Sequence, residues 1–407
     1  MGTLTGLDGI PLTETLTGVG PYTFELARAL AEASPADEFE LAYPSFCPAV
    51  NLPAARVPPN LRAARVEVGA LTRRWWLVGL PRHARRRRLS LFHGTNYDIP
   101  LRAPCPTVLT IHDLSVFSHA RTHLPRHARR QRLRLSLMAR AATEIVTPTE
   151  AVRREVLELF RAVDPERVTA IHEAPRAIFR PLPRDEAGGT LRRLGVEGDF
   201  VLAVGTVEPR KNLTTLLRAF EEVARARDGE HGRVGRSRGR ADPSRGRDDR
   251  SRRLTLVVAG REGWLTGDLR AQVEASPARG LIRFTGYVSD EDLRALYSSC
   301  LAFVYPSVYE GFGLPPVEAM GCGAPVVASR IAAHAEVLGE EAALLVDPAD
   351  AAGMARAITN LIADETLRRR LSEAGRQRAA RLTWARAARE TLEVYGRALE
   401  KWSAKPR

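Results

Sequence analysis

Long hydrophobic runs are missing from this sequence of 407 residues, although apolar residues make up 44% of it. A helix that crosses a bilayer needs about 18 or more consecutive apolar residues. We therefore expect no membrane-spanning segment. The opening residues also lack a basic segment followed by an apolar block, which predicts no secretory signal and a cytoplasmic location.

Cysteine is scarce as well, with only four residues in the chain. They are too scattered for a metal knuckle and too few for a disulfide framework. We expect all four to be buried, reduced thiols. They are Cys47, Cys105, Cys300 and Cys322.

Acidic residues are absent from two arginine-rich stretches in the first half of the chain. The whole sequence has a formal net charge of +13. Arg73–Arg88 and Arg121–Arg140 each carry seven arginines, with apolar residues interleaved as on an amphipathic helix. Such helices would be attracted to an anionic membrane surface or to an acidic, lipid-linked acceptor. The alternative is a pair of solvated helices whose arginine stems cover apolar surface.

Apolar runs of strand length alternate with longer helical patterns along the chain. Helical patterns extend from Pro21 to Ala33 and from Asn212 to Arg227. The runs are almost continuously apolar, which is typical of parallel strands covered by helices on both faces. The sequence therefore predicts an α/β protein with two doubly wound halves. The runs are PTVLTIHD, TEIVTPT, FVLAVGT, LTLVVAG, LAFVYPS and PVVAS.

A proline- and glycine-rich connection near residues 180–198 indicates a domain boundary. We assign residues 1–182 to a first domain, residues 183–385 to a second, and residues 386–407 to a terminal helix that packs on the body. The segment Arg227–Arg253 has too few apolar residues for a core and is expected to be a disordered insertion. The opening stretch MGTLTGLDGIPL is a poor first strand.

Two adjacent cations follow an apolar strand in the stretch VGTVEPRKN. Arg210 and Lys211 come just before a helix, whose first turn presents unpaired backbone N–H groups. Two positive charges at this end of a helix dipole require an anion, and a diphosphate fits their donors. The alternative is an exposed surface pair.

The stretch YEGFGLPPVEAM places two glutamates eight residues apart around a glycine and proline turn. Gly311 and Gly313 allow main-chain donors to approach a ligand, and the two prolines favour a first helical turn. We expect Glu318 in that first turn, where its carboxylate can accept from sugar hydroxyls, and Glu310 at the strand end beside a second sugar. The alternatives are an acid that complements the helix dipole and a glycoside hydrolase with the two glutamates as acid and base.

Gly18 and Gly20 lead into an amphipathic helix in TGVGPYTFELARAL. The third glycine of the dinucleotide fingerprint is missing, which disfavours a dehydrogenase. A plain tight turn is the alternative. A nucleic-acid-binding protein would suit the positive charge, but polyanion attraction does not explain the two glutamates, so we expect no nucleic-acid partner.

Polar side chains also end two strands of the first half. His112 and Asp113 follow the run PTVLT, where an imidazole can donate to an oxygen or position a reacting group. His93 and Asn96 occupy a similar position in FHGTNYDIP and, with Asp113, are candidates for the acceptor side.

These motifs resemble the retaining nucleotide-sugar glycosyltransferases of glycosyltransferase family 4, which have the GT-B architecture of two facing Rossmann-like domains. The resemblance extends from about Gly6 to Ala385, and its most specific part is the E-x7-E motif from Glu310 to Glu318. It implies that Glu318 binds the nucleotide ribose and that Glu310 binds the transferred sugar. The main-chain donors that assist are Gly311, Phe312 and Gly313.

The resemblance also implies roles for the other motifs. Arg210 and Lys211 would stabilise the leaving diphosphate, which Gly18 and Gly20 would approach from the opposite domain. His112 would lie beside the reacting sugar. Tyr287 and Val288 would contact the base. Many relatives carry an arginine where this chain has Thr206, so Arg210 would carry more of the phosphate binding.

The implied reaction moves a hexose from a nucleoside diphosphate to a saccharide or lipid-linked hydroxyl with retained anomeric configuration, and mannose is weakly favoured. Cations around the leaving diphosphate stabilise developing charge. We expect neither a metal nor a separate cofactor, because the acids of Ser289–Asp292 suit a helix start and Asp248 and Asp249 a disordered charge pair.

Overall fold

Two compact units make up the chain in this computed structural model, one of Met1–Ala174 with Leu382–Arg407 and one of Pro175–Arg381. The sequence placed the boundary at residue 182, eight residues later than the structure does. The described residues are 2–13, 18–50, 52, 56–119, 125–236, 254–264 and 266–404.

A parallel sheet of seven strands forms the first unit, in the order β3-β2-β1-β4-β5-β6-β7. In the part of this unit that the structure describes, five α-helices follow its strands along the chain. The strands are β1 (Leu4–Asp8), β2 (Glu38–Pro44), β3 (Leu61–Val66), β4 (Leu91–Gly94), β5 (Thr107–Thr110), β6 (Glu144–Thr147) and β7 (Val168–Ala170). The helices are α1 (Val19–Ala33), α2 (Leu80–Arg87, after a π-helical turn), α3 (Ser115–Ser118), α4 (Pro125–Ala141) and α5 (Glu150–Leu159).

The prediction of a poor first strand is wrong. β1 pairs with β2 on one side and β4 on the other, so it is a central strand. Its unconvincing sequence has a packing reason: a Cβ on Gly6 would lie only 2.6 Å from the Leu89 side chain and 3.1 Å from that of Phe92. Gly6 therefore interrupts the apolar run because the side chains of Leu89 and Phe92 occupy the space that its own side chain would need.

A parallel sheet of six strands forms the second unit, in the order β10-β9-β8-β11-β12-β13. Together the two sheets confirm the predicted doubly wound α/β class. The strands are β8 (Phe200–Val204), β9 (Thr255–Ala259), β10 (Ile282–Gly286), β11 (Ala302–Tyr305), β12 (Val326–Ser329) and β13 (Ala343–Val346). The helices are α6 (Arg184–Arg193), α7 (Leu213–Arg236), α8 (Gly267–Ala275), α9 (Asp290–Ser299), α10 (Leu314–Gly321), α11 (Ala332–Leu338), α12 (Ala351–Ala363) and α13 (Glu365–Ala380).

Helix α7 continues through the first part of the predicted insertion, Arg227–Arg253. It ends at Arg236, so the expectation of disorder is wrong for its last turns. Extending a formed helix adds one hydrogen bond per residue, and no proline interrupts the chain before position 243. Residues 237–253 lie outside the described residues.

The terminal helix α14 (Trp384–Ser403) belongs to the first unit and begins two residues before the predicted start. Tyr395 on this helix has its hydroxyl 2.7 Å from Nδ1 of His93 on β4. Lys401 on the same helix places Nζ 2.7 Å from the buried carboxylate of Glu144 on β6. The first unit therefore contains both the beginning and the end of the chain, and the second unit lies between them in the sequence.

Three of the four cysteines are buried as predicted, whereas Cys47 is half-buried, and all four are free thiols. Within the described ranges, no helix is both long and apolar enough to span a membrane.

Candidate active site

The carboxyl edge of the second sheet begins with a tight connection after β8. Gly205 has a φ of +141° and is followed by the half-buried Thr206. A 3-10 turn (Pro209–Lys211) then ends at Asn212, which adopts the left-handed conformation. The Asn212 side chain donates to the carbonyls of Pro306 and Pro348 at 3.1 and 2.8 Å. These bonds fasten the loop that carries Arg210 and Lys211 to the loops after β11 and β13.

Arg210 and Lys211 both contact Glu310. Lys211 Nζ lies 2.6 Å from Glu310 Oε1 and 2.7 Å from the Tyr305 hydroxyl. Arg210 donates to Glu310 Oε2 at 2.9 Å and lies 2.9 Å from Glu208 Oε1. The anion that the sequence required beside these cations is therefore provided, within the chain itself, by two glutamates.

Glu310 is buried and ionised. Burial would raise its pKa, but the charges of Arg210 and Lys211 outweigh burial and hold the pKa of Glu310 well below its usual range. With Glu208, the cluster contains two carboxylates and two cations. A diphosphate that enters this cluster would compete with the carboxylates for donors that are already oriented.

The turn before α10 depends on Gly313, which has a φ of +95° and caps the helix. A side chain here would be strained and would place its Cβ 3.3 Å from His334 Nε2. Phe312 is buried beside it. The expectation that Glu318 lies in the first helical turn is wrong, because α10 begins at Leu314 and Glu318 is its fifth residue.

Glu318 is held by an arginine that the sequence analysis missed. Arg176 Nε donates to Glu318 Oε1 at 2.9 Å, and Arg176 Nη1 donates to Asp290 at 2.6 Å. The guanidinium also lies over the Phe179 ring, 4.6 Å from its centre. The sequence shows an arginine in the connection between two domains, which could have drawn attention to Arg176. The residues around Arg176 in the sequence do not indicate its partner, Glu318, which is 142 residues away.

Tyr287 and Val288 follow β10 at the same edge of the sheet. Gly286 before them has a φ of +70°, and the Tyr287 side chain is 54% exposed. The guanidinium of Arg261 lies 4.8 Å from the centre of the Tyr287 ring. An exposed aromatic ring and backbone groups are therefore presented at the strand end predicted to contact a base.

His112 lies at the carboxyl edge of the first sheet. Its Nε2 donates to the Thr95 carbonyl at 2.8 Å, and its Nδ1 lies 3.3 Å from Glu173 Oε1. The rings of Tyr22 and Tyr97 pack edge-on against it. These contacts fix the orientation of the imidazole and engage both of its nitrogens.

His93 does not line an acceptor site, contrary to the prediction. It is fully buried, with Nδ1 bonded to Tyr395 and Nε2 2.8 Å from Thr110 Oγ1. Burial lowers the pKa of His93 to about 3, so it is a neutral core residue. Asp113 is occupied locally, because its Oδ1 accepts from Ser115 N and Oγ at 3.0 and 2.7 Å. Asn96 is half-buried.

Gly18 and Gly20 lie at the start of α1. Gly18 is exposed and has a φ of +60°, and among the described residues other than its chain neighbours no atom lies within 4 Å of where its Cβ would be. Gly20 is buried inside the first turn. Among the residues that the structure describes, no three His, Cys, Asp or Glu side chains lie close enough together to hold a metal ion.

Family models cover most of the chain. The model described as Glycosyltransferase Family 4 matches residues 16–174, and the model described as Glycosyl transferases group 1 matches residues 193–378. The O-antigen chain mannosyltransferase B of Escherichia coli is 31% identical over 399 residues, which are 95% of this chain and 97% of that protein. The serotype-specific mannosyltransferase WbdA of Escherichia coli is 28% identical over 316 residues, 76% of this chain but 36% of that longer protein.

Solved structures share the fold at low identity. Sucrose-phosphate synthase from Thermosynechococcus elongatus has a TM-score of 0.73 and 20% identity, with 100% of both chains covered. HepE of Anabaena, solved with UDP and glucose, has a TM-score of 0.71 and 16% identity, with 97% of this chain and 100% of that chain covered.

Proposed function

Since this chain belongs to glycosyltransferase family 4 and has the GT-B fold, we propose that it transfers a hexose from a nucleoside-diphosphate sugar to a hydroxyl group with retention of anomeric configuration. Mannose is the favoured sugar because relatives over most of the chain are named mannosyltransferases. The acceptor is a saccharide or lipid-linked saccharide in cell-surface polysaccharide or glycolipid synthesis.

The observation that carries this proposal is the cluster of Arg210, Lys211 and Glu310. The two cations are held in place before any ligand binds, so they can stabilise negative charge on the departing diphosphate without reorganising. Glu310 holds both cations and offers its oxygens to hydroxyls of the transferred sugar. Glu310 is ionised, and Glu318 accepts a hydrogen bond from the guanidinium of Arg176, so neither glutamate suits the protonated general acid that a glycoside hydrolase needs.

The remaining donor contacts are assigned by position along the carboxyl edge of the second sheet. Glu318 accepts from the ribose hydroxyls, and the backbone of Tyr287 and Val288 contacts the base. The main chain of Gly311, Phe312 and Gly313 donates to the sugar and phosphates. Thr206 lies at the start of the loop that carries Arg210 and Lys211 and is assigned to the phosphates.

The first unit supplies the acceptor side in this proposal. His112, oriented by Thr95 and Glu173, positions the reacting sugar, and Asn96 is a candidate acceptor contact. Gly18 and Gly20 are candidates for backbone contact with a ligand at the start of α1.

Neither a metal nor a separate cofactor is part of the proposed mechanism, because Arg210 and Lys211 supply the charge that a divalent ion would otherwise provide. The enzyme should keep its activity in excess EDTA. Loss of activity in EDTA that returns with Mg²⁺ or Mn²⁺ would contradict this part of the proposal.

A thermal-shift panel of GDP, UDP, ADP and their sugars tests the donor, because a ligand that binds only the folded protein raises its Tm. GDP-mannose and GDP should give the largest shifts, and the shift should be smaller in Lys211→Ala. Anomeric analysis of the product then tests retention. No shift with any nucleotide, together with no sugar transfer, would overturn the proposed function.

A basic face of the first unit supports peripheral binding to an anionic membrane. Phe92 on β4 belongs to one core cluster with residues of α2, and Leu109 on β5 belongs to another with residues of α4. Phe92 pairs with Thr107, two residues before Leu109, so both helices cover the same side of the sheet. On this side Leu77 and Leu133 are 56% and 68% exposed among exposed arginines.

Vesicle binding tests this membrane interaction. Arg85→Glu/Arg86→Glu should abolish sedimentation with vesicles rich in phosphatidylglycerol, whereas wild-type protein should not sediment with phosphatidylcholine vesicles. Arg87 is left intact because it contacts the buried Glu40 at 3.2 Å. The control Arg369→Glu/Arg370→Glu changes exposed arginines on α13. Equal sedimentation of all three proteins would contradict a role for this face.

A further inference from the structure

His334 lies on α11 next to the proposed donor site, and sequence analysis gave it no role. Its side chain is 0% exposed. Nδ1 lies 2.9 Å from the carbonyl oxygen of Ser329 at the end of β12. A carbonyl can only accept, so Nδ1 carries the proton of this hydrogen bond.

The other ring nitrogen is consequently a hydrogen-bond acceptor. Burial lowers the pKa of His334 to about 4, so the ring is neutral near pH 7 and Nε2 has a lone pair. This buried Nε2 has no hydrogen-bond partner among the described residues. Buried acceptors without a partner are uncommon, because the desolvation they suffer is not compensated.

Nε2 faces the turn that begins α10. A Cβ on Gly313 would lie 3.3 Å from it. The imidazole also packs against the Tyr305 ring, with 5.5 Å between ring centres. The Tyr305 hydroxyl is 2.7 Å from Lys211 Nζ, which is 2.6 Å from Glu310. His334 is thus part of the same buried cluster as the residues assigned to the sugar and diphosphate.

We propose that Nε2 of His334 accepts a hydrogen bond from a hydroxyl of the transferred sugar and so helps to determine which sugar the enzyme uses. This inference rests on the proposed donor site in the second unit. Phosphate oxygens have no proton to donate at neutral pH, so the lone pair of Nε2 would repel them. A sugar hydroxyl can donate to Nε2 and at the same time accept from a neighbouring group.

Two variants separate the acceptor atom from the bulk of the ring. His334→Leu removes the acceptor and keeps an apolar side chain against Tyr305, whereas His334→Gln keeps an acceptor oxygen. We expect His334→Leu to lower kcat/KM for the nucleotide sugar about tenfold or more and to leave the Kd for the sugar-free nucleoside diphosphate within about twofold. His334→Gln should recover part of the lost kcat/KM.

Monodeoxy donors identify the hydroxyl. Wild-type enzyme should discriminate against the donor that lacks the bonded hydroxyl, and His334→Leu should impose no further loss on that donor, because the bond is already absent. For the other monodeoxy donors, His334→Leu should lower kcat/KM by the same factor as for the intact donor. Losses that are equal for every deoxy donor, or a Kd for the free nucleoside diphosphate that weakens as much as donor binding, would overturn the role of His334.

The same measurements separate this inference from the proposed function. Turnover of the intact donor by wild-type enzyme supports the glycosyltransferase assignment whatever the variants do. Thermal unfolding of each variant detects a folding defect. A His334→Leu protein that unfolds below the assay temperature would show a structural role and contradict the proposal. The His334→Gln variant keeps the comparison with deoxy donors accessible.

Discussion

Arg176 lies two residues after the last residue of the first unit's main segment and donates to Glu318 at 2.9 Å. The connection that leads into the second unit thereby fixes the acid at the end of the E-x7-E motif. Asp290 at the start of α9 accepts from the same guanidinium. A single arginine thus joins the connection, α9 and α10.

Replacement of Arg176 should affect both stability and donor binding. Arg176→Ala removes a charge partner of the buried Glu318, which should lower the free energy of unfolding by about 3 kcal/mol and raise KM for the donor more than it lowers kcat. Arg176→Lys should be intermediate, because an ammonium group lacks the fork that reaches both acids. Urea unfolding and steady-state kinetics measure the two effects.

The exposed Arg180 offers a matched control on the same connection. Arg180→Ala should behave as wild type in both assays. Wild-type KM in a folded Arg176→Ala protein would show that Glu318 does not depend on Arg176 for its orientation.

Removal of Lys211 should act on the chemical step. Lys211→Ala keeps Arg210 and its contacts with Glu208 and Glu310, but one preorganised cation beside the leaving group is lost. We expect kcat to fall about 10²- to 10³-fold, with a smaller change in the Kd for the nucleoside diphosphate. Arg218→Ala, an exposed cation on α7, should leave kcat unchanged. Equal kcat values for the two variants would remove Lys211 from the mechanism.

Asp8 should make the first unit less stable as pH rises. Burial raises the pKa of Asp8 to about 8, against a lowering contribution from the Ile10 backbone N–H. The folded protein therefore keeps a proton that the unfolded chain releases near pH 4, and its stability falls between about pH 4 and pH 8. Asp8→Asn removes this dependence, so its free energy of unfolding relative to wild type should rise across that window by up to about 5 kcal/mol.

Asp37 provides a control of opposite sign for this titration. Burial opposes ionisation of Asp37, but hydrogen bonds from Ser34 and Thr3 outweigh it and lower the pKa. The ionised form stabilises the fold above about pH 4 and this stabilisation is lost as pH falls. Asp37→Asn should therefore lose stability relative to wild type as pH rises. The same pH slope for both variants would contradict the assignment of a protonated Asp8.

The terminal helix should depend on a buried ion pair. Glu144 is fully buried, and Lys401, 39% exposed, lies 2.7 Å from it, with Arg397 at 3.9 Å. Lys401→Met should lower the free energy of unfolding by about 1 to 2 kcal/mol, because Arg397 remains near the carboxylate. In Glu144→Gln/Lys401→Met the loss of unfolding free energy should be smaller than the sum of the losses in the two single variants. A double-mutant cycle by urea unfolding measures this difference. Additive losses would show that the pair is not coupled.

Four strands of the second sheet were predictable because helices cover both of their faces. β8, β9, β11 and β12 are almost wholly buried, so their sequences are continuous apolar runs. β3 and β10 lie at sheet edges, expose much of their surface and carry arginines, which hid them in the hydrophobic pattern. Pattern alone found these interior strands but not the central β1, whose apolar run is interrupted at Gly6.

The chain's own sequence determined the doubly wound class, the strand-end positions of Arg210, Lys211 and Glu310, and the arginine-rich helices. These features depend on the spacing of apolar residues along the sequence and on residues that are close together in the chain. Only the tertiary structure decided that Arg176 holds Glu318, that His334 has a lone pair facing Gly313, and that His93 is a core residue under the terminal helix. Those outcomes depend on burial and on contacts between residues far apart in sequence, such as His93 and Tyr395, which are 302 positions apart.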